Sequence, residues 1–134
     1  MSAFHLQIVT PDGGIFDGEA QALRLRTSEG YVSIRAGHAD YIAALDIGQV
    51  DVTVEGELRR AACGGGFLSV EQGQVRLVAT SFEYAEQIDA TRAERSKERA
   101  ETMLASGKEE KELLMAKARL SRALNRLRIA EYVK

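Results

Sequence analysis

The sequence predicts an α+β protein, in which an N-terminal antiparallel β-sandwich of eight to ten strands precedes a C-terminal antiparallel hairpin of two helices. Three observations support this fold class. Apolar and polar residues alternate up to about residue 81, and tight-turn sequences separate the alternating runs. Residues 87–134, in contrast, contain a single glycine and place their apolar residues at helical spacing.

The alternation is clearest where valines or leucines occupy every second position. Val50, Val52 and Val54 enclose Asp51 and Thr53, which is the pattern of a half-buried strand. Turn sequences rich in glycine, aspartate and glutamate follow such runs at short intervals, at residues 11–14, 28–30, 55–57 and 71–74. Many short strands joined by tight turns indicate a sandwich or barrel.

Charge divides the chain into two parts. Residues 1–86 hold six arginines and twelve acidic residues, whereas residues 87–134 hold twelve basic and eight acidic residues, including all five lysines. A change of this size predicts a domain boundary, so we expect a docking domain over residues 1–86 and a helical hairpin over 87–134.

Composition excludes several classes of protein. No apolar run is long enough to cross a bilayer, and residues 1–6 do not resemble a signal peptide, so a cytosol-facing protein is expected. The single Cys63 excludes an internal disulfide, and His5 and His38 offer neither a metal-ligand set nor a catalytic triad. The glycines of Gly64–Gly66 precede a strand-like run instead of a helix that begins with lysine and serine or threonine. This favours a β-bulge or close backbone packing over a phosphate loop.

The two helices are predicted over residues 90–105 and 109–132. Asp89 is a good N-cap for the first helix, whose apolar stripe is mostly alanine, and Gly107 ends it. Apolar residues of the second helix recur at spacings of three and four: Leu113, Ala116, Leu120, Ala123, Leu124, Leu127 and Ala130. Alanine buries little surface, so at about 25 cal/mol per Å² the hairpin is expected to be weakly held.

Arginines border this hairpin on both helices. Arg119, Arg122 and Arg126 share one face of the second helix, and Arg92 and Arg99 lie two turns apart on the first. Guanidinium groups bind phosphate with two parallel hydrogen bonds, so two such rows predict a polyanion site. A solvated basic face, partly neutralised by Glu94, Glu98 and Glu101, is the alternative.

Four short segments, in order along the chain, carry a resemblance to a known family. They are residues 8–13 (Ile-Val-Thr-Pro-Asp-Gly), 37–40 (Gly-His-Ala-Asp), 64–67 (Gly-Gly-Gly-Phe) and 122–127 (Arg-Ala-Leu-Asn-Arg-Leu). Together they resemble the ε subunit of bacterial F-type ATP synthases over nearly the whole chain. The resemblance implies a non-catalytic, regulatory subunit of the central stalk, located peripherally at the cytoplasmic face of the bacterial cell membrane.

The resemblance also implies partners and a mechanism. The sandwich would dock on the γ subunit and the membrane rotor c-ring, and so couple the catalytic head to proton-driven rotation and ATP synthesis. The hairpin would either fold down or extend into the α/β catalytic hexamer, where its basic helix meets acidic segments of the β subunits and blocks ATP hydrolysis. ATP would act as a regulatory ligand that holds the folded position, and the sequence leaves open whether Mg²⁺ accompanies it.

Some bacterial members of that family bind ATP through the motif Ile/Leu-Asp-x-x-Arg-Ala, which is similar to residues 88–93 of this chain. By position, Asp89 and Arg92 would set the adenine and phosphate ends of the site, and Ala93 would leave room for the base. The full set implied for nucleotide binding is Glu83, Ile88, Asp89, Arg92, Ala93, Arg99, Arg122 and Arg126.

The chain departs from the family pattern at three positions. An arginine expected early in the second helix is replaced by Met115, and Arg119, one turn further on, is the residue that could compensate. Ala36 and Asp40 stand where the loop around His38 usually has prolines.

Two other classes of protein are alternatives. The basic hairpin could belong to a nucleic-acid-binding module, but the chain has no tryptophan and most of its tyrosines and phenylalanines lie in the acidic part, so we expect no nucleic-acid partner. A small ATP-hydrolysing enzyme would need a phosphate loop, a metal-ligand set or a general base, and the sequence offers none of these.

Overall fold

A computed structural model gives the structure of residues 2–107 and 109–133. The chain divides into two compact units, residues 1–84 and residues 85–134. The first unit contains eight strands among its described residues, which are β1 (Phe4–Thr10), β2 (Gly13–Ala20), β3 (Ala22–Thr27), β4 (Gly30–Ile34), β5 (Tyr41–Val54), β6 (Glu57–Glu71), β7 (Gln74–Ala79) and β8 (Phe82–Tyr84).

The eight strands confirm the predicted antiparallel sandwich, with one exception in strand direction. The hydrogen-bonded order is β2-β1-β7-β6-β5-β3-β4, and β8 pairs with β6. All of these pairs are antiparallel except β1 with β7, which run parallel from His5 opposite Gln74 to Val9 opposite Val78. The sequence pattern cannot reveal this pair, because the partners are almost seventy residues apart in the sequence. Apolar and polar residues also alternate in the same way in parallel and antiparallel strands.

The core follows the period-two pattern. Burial alternates along β1, β3 and β7, so that every second side chain enters the core while its neighbours are more exposed. The largest fully buried side chains include Leu6, Ile8, Leu23, Leu25, Ile34, Leu68 and Leu77. Together they form one contiguous apolar cluster inside the first unit.

Two of the predicted turns owe their sequences to backbone conformation. Glu55 and Gly56 join β5 to β6 with φ values of 51° and 78°, and Gln72 and Gly73 join β6 to β7 with 49° and 80°. Two successive positive φ values define the hairpin turn whose twist matches that of the strands it joins. Glycine at the second position avoids the strain that a Cβ atom would introduce there.

The glycine run in β6 serves backbone packing, as predicted. The first part of β6 pairs with β8 up to Cys63, and its second part pairs with β7 from Gly66 onward. A Cβ atom on Gly66 would clash with the carbonyl oxygen of Val78. Cys63 beside it is 2% exposed, and burial raises the pKa of its thiol, so this residue packs as a small uncharged group.

The second unit begins with a 3₁₀ turn (Ala85–Gln87) and contains α1 (Ala90–Ser106), α2 (Glu110–Ala130) and a final 3₁₀ turn (Glu131–Val133). The two helices confirm the predicted hairpin. Gly107 follows α1 with extended backbone, and its N–H donates to the Met103 carbonyl at 2.7 Å. A Cβ atom at this position would contact the same carbonyl oxygen at 2.7 Å, which explains the glycine. Within the described residues, neither helix has the length and apolarity required to span a membrane.

The buried face of the hairpin differs in part from the predicted stripe. The buried residues of α1 are Ala93 and Ala100, and those of α2 include Ala116 and Ala123, so alanine does dominate. Leu124, which was predicted in the stripe, is 47% exposed, because it lies about 100° around the helix from Ala123. Three other α2 leucines of the stripe (Leu113, Leu120, Leu127) are half-buried, and Ile129 and Asn125 are buried instead.

Candidate functional site

A groove of about 1000 Å³ runs between α1 and α2. From α1 it is lined by residues between Arg95 and Ser106, and from α2 by residues between Glu112 and Arg126. Five of the lining side chains are arginines: Arg95, Arg99, Arg119, Arg122 and Arg126. Two glutamates, Glu98 and Glu112, are the acidic residues among the described lining residues, so the groove carries a net charge of +3.

The helices place these arginines on the groove through their spacing. Arg119, Arg122 and Arg126 are separated by three and four residues, which keeps them on one face of α2. Arg95 and Arg99 are one turn apart on α1 and face the same space. Arg122 and Arg126 are half-buried, whereas Arg95, Arg99 and Arg119 are exposed.

The apolar part of the groove comes from small and flexible side chains. Ala100 and Ala116 are buried, with exposed fractions of 3% and 2%, and Met103 and Met115 lie beside them. Met115, at the position where the resemblance implies an arginine, is 48% exposed. Arg119 lies one turn further along α2 and lines the same groove.

The structure brings together three of the eight residues that the resemblance implies for nucleotide binding. Arg99, Arg122 and Arg126 all line the groove. Four further residues of the implied set belong to the second unit but do not line the groove. They lie at the start of α1 and are Ile88, Asp89, Arg92 and Ala93. Arg92 is two turns, or about 10 Å along the helix axis, from Arg99.

Residues 88–93 have well-defined roles at the start of α1. The carboxylate of Asp89 accepts a hydrogen bond from the backbone N–H of Arg92 at 3.0 Å, which confirms Asp89 as the N-cap. The N–H of Ile88 donates to the carbonyl of Ala85, and Ala93 is buried. The side chain of Arg92 is exposed.

Glu83, the eighth implied residue, belongs to the first unit. It lies on β8 opposite Ala62 of β6 and is half-buried.

Arg95 is a groove residue that reasoning from the sequence missed. Its signal was nevertheless present, because Arg92, Arg95 and Arg99 repeat the spacing of Arg119, Arg122 and Arg126. Spacing alone could not tell which members of the α1 row would face α2, because that depends on how the two helices pack.

His5, His38 and Asp40 each contact neighbouring protein groups. His5 pairs with Asp17 across β1 and β2 at 2.7 Å, and His38 contacts the carbonyl of Ala39. The carboxylate of Asp40 accepts a hydrogen bond from the backbone N–H of Gln72 at 2.9 Å, which ties the loop before β5 to the turn after β6. No group of three or more histidine, cysteine, aspartate or glutamate side chains suited to a metal ion occurs in the described ranges 2–107 and 109–133.

Comparison with known proteins gives the same family over both units. Residues 3–85 match the model of the ATP synthase delta/epsilon chain β-sandwich domain, and residues 86–131 match the model of the long α-helix domain of the same chain. The ATP synthase epsilon chain of Ruminococcus albus is 37% identical over 131 residues, covering 97% of this chain and 98% of the relative. That of Bacillus velezensis is 38% identical over 130 residues, with 97% and 98% covered.

Solved structures show the same fold. A chain in the mitochondrial ATP synthase of Euglena gracilis, in a structure of OSCP, F1 and c-ring, superposes with a TM-score of 0.81 at 23% identity, covering 98% of this chain and 82% of the other. A chain from the central stalk and c-ring of the Tetrahymena thermophila mitochondrial enzyme gives a TM-score of 0.59 at 16% identity, with 96% and 94% covered.

Proposed function

The chain belongs to the ATP synthase delta/epsilon chain family, and from this we propose that it is a non-catalytic central-stalk subunit whose helical hairpin senses ATP and regulates ATP hydrolysis. Its sandwich docks on the γ subunit and the c-ring, and it turns with them at the cytoplasmic face of the bacterial membrane. In this role it couples the catalytic head to the proton-driven ring during ATP synthesis. This assignment is supported by the assemblies that contain the two similar chains, which are an OSCP, F1 and c-ring assembly and a central stalk and c-ring assembly.

The observation that carries the regulatory part is the arginine groove of the hairpin. Its five arginines against two glutamates favour a ligand with several negative charges, and phosphate groups accept the paired hydrogen bonds that guanidinium donates. In our proposal ATP places its phosphates against Arg92, Arg99, Arg122 and Arg126, while Ile88, Asp89 and Ala93 define the adenine end.

Because the hairpin is rich in alanine, a bound ligand can change the balance between its folded and extended states. The buried residues of α1 are both alanine, so the two helices gain little apolar contact from each other. A ligand present at 100 times its dissociation constant stabilises the state that binds it by about 2.7 kcal/mol. This is enough to shift the balance between a folded and an extended hairpin if the two differ by a similar amount. In the extended state the basic helices meet acidic segments of the β subunits and block ATP hydrolysis.

Calorimetry with ATP tests the site. We expect the full chain to bind one ATP, and both Arg92→Ala and Arg122→Ala to weaken binding by about tenfold or more, because each loses a hydrogen bond to a charged group. Lys117→Ala is the matched control, since it removes one positive charge from an exposed position of α2 that does not line the groove. Failure of the wild-type chain to bind ATP, or equal binding by all four proteins, would exclude the proposed site.

A further inference from the structure

The groove contains two arginines that the family motif does not assign to a ligand. Arg95 lies one turn before Arg99 on α1, and Arg119 lies one turn before Arg122 on α2. Neither has an ion-pair partner among the described residues, whereas Lys97, close to Arg95 in sequence but not lining the groove, pairs with Glu94 at 3.5 Å. Their positive charges are therefore available to the groove.

The two rows of arginines match an extended anion better than a compact one. Arg95 and Arg99 cover about 6 Å along α1, and Arg119, Arg122 and Arg126 cover about 10 Å along α2. Both rows line the same groove of about 1000 Å³. A chain of linked phosphates lying along the helices would meet guanidinium groups from both sides over several successive phosphates.

The remaining walls of the groove offer little that would recognise a base, and the proposed function places the base outside the groove, at the start of α1. Its described lining residues include no aromatic side chain on which a base could stack. Two of its hydroxyl groups are already used inside α1, because Thr102 donates to the Glu98 carbonyl at 3.0 Å and Ser106 donates to the Thr102 carbonyl at 2.8 Å. The distinctive property of the groove is its positive charge.

We propose that the groove recognises the phosphate chain itself, with Arg95 and Arg119 as additional phosphate-binding residues, so that inorganic tripolyphosphate is a ligand in its own right. This inference rests on the proposed function insofar as the phosphates of ATP occupy the same groove. It goes further by adding Arg95 and Arg119 to the phosphate-binding residues and by making the phosphate chain sufficient for binding.

Competition calorimetry with the full chain tests this inference. We expect tripolyphosphate to bind with a dissociation constant within about tenfold of that of ATP and to displace ATP, and AMP, with its single phosphate, to bind much more weakly. Arg95→Ala and Arg119→Ala should each weaken binding of both ligands by about fivefold or more. Lys97→Ala and Lys117→Ala remove a charge from the same two helices outside the groove and should change binding less than twofold. Circular dichroism of each variant verifies that the helices are intact.

The outcomes separate this inference from the proposed function. Binding of ATP without binding of tripolyphosphate overturns the inference and leaves the proposed function in place. Binding of tripolyphosphate without ATP supports the inference and contradicts ATP sensing. If both ligands bind but the arginine variants behave like the lysine variants, Arg95 and Arg119 are not phosphate-binding residues. If neither ligand binds, both proposals are wrong.

Discussion

At the scale of single residues, Asp89 has a structural role and is also one of the proposed ATP-binding residues. Its carboxylate accepts the Arg92 N–H and thereby satisfies one of the donors that the first turn of α1 leaves open. The same residue belongs to the motif that the resemblance connects with ATP. A loss of ATP binding on substitution of Asp89 would therefore have two explanations, which have to be separated by the choice of variant.

Two substitutions at Asp89 distinguish loss of the helix cap from loss of a contact with ATP. Asp89→Ala removes the cap and should lower the free energy of unfolding of the helical unit by about 1 kcal/mol, whereas Asp89→Asn keeps a capping oxygen and should lower it by only a few tenths. Urea unfolding followed by far-ultraviolet circular dichroism measures both. If the Asp89 carboxylate also contacts ATP, the asparagine variant binds ATP more weakly in spite of its stable helix. Equal stability of the two variants would contradict the capping role.

At the scale of secondary-structure elements, the hairpin depends on small side chains. Ala93 and Ala100 are seven residues apart on α1, as are Ala116 and Ala123 on α2, and all four are at most 3% exposed. Alanine permits two helix backbones to approach closely, but each methyl group contributes little buried apolar surface. Close packing combined with weak attraction is consistent with the change between a folded and an extended hairpin in the proposed function.

Enlarging one of these alanines should therefore disturb the hairpin. Ala100→Leu inserts three carbon atoms into a buried position and is expected to destabilise the helical unit by about 1–3 kcal/mol. It should also weaken ATP binding, because Ala100 lines the groove. Ala105→Leu is the control, since Ala105 is exposed on the same helix. Urea unfolding and ATP calorimetry give the readouts, and identical behaviour of the two variants would show that Ala100 is not tightly packed.

At the scale of the whole molecule, the chain joins two units of opposite charge. Residues 1–86 carry a net charge of −6 and residues 87–134 a net charge of +4, and the groove concentrates part of the positive charge on one side of the hairpin. Charge of this kind favours different partners for the two units, because electrostatic complementarity selects between acidic and basic surfaces. The proposed function uses this division, with a docking unit that stays attached to the rotor and a basic unit that responds to ATP.

Removal of the second unit tests the regulatory role in the assembled enzyme. We expect an ATP synthase that carries this chain without residues 89–134 to hydrolyse ATP several-fold faster at low ATP concentration than the same complex with the full chain. The full chain with Arg122→Ala is the matched comparison, because it keeps the hairpin but loses a proposed ATP contact, and it should inhibit more persistently than the wild type as ATP is raised. Unchanged hydrolysis after truncation would exclude inhibition by the hairpin.

Much of this architecture could be predicted from the sequence, and the exceptions have physical causes. Alternating apolar and polar residues, bounded by turn residues, predict the strands because each strand has one buried face. Asp89 and Gly107 mark the ends of α1, because Asp89 caps its first turn and the backbone leaves no room for a Cβ atom at Gly107. The burial of Ile129 and the exposure of Leu124 depend on contacts between elements, which helical spacing alone does not determine. The position of Arg95 on the groove depends on helix packing in the same way.

The parallel pair of β1 and β7 has a consequence for the order in which the chain folds. Residues 5–9 find their partners only at residues 74–78, so the sheet cannot be completed during synthesis until nearly the whole first unit has left the ribosome. The hairpin, in contrast, is built from contacts between neighbouring segments, which form faster than long-range strand pairs. We therefore expect the hairpin, although it follows the sheet in the chain, to acquire its structure within microseconds to milliseconds, while the sheet sets the overall rate of folding.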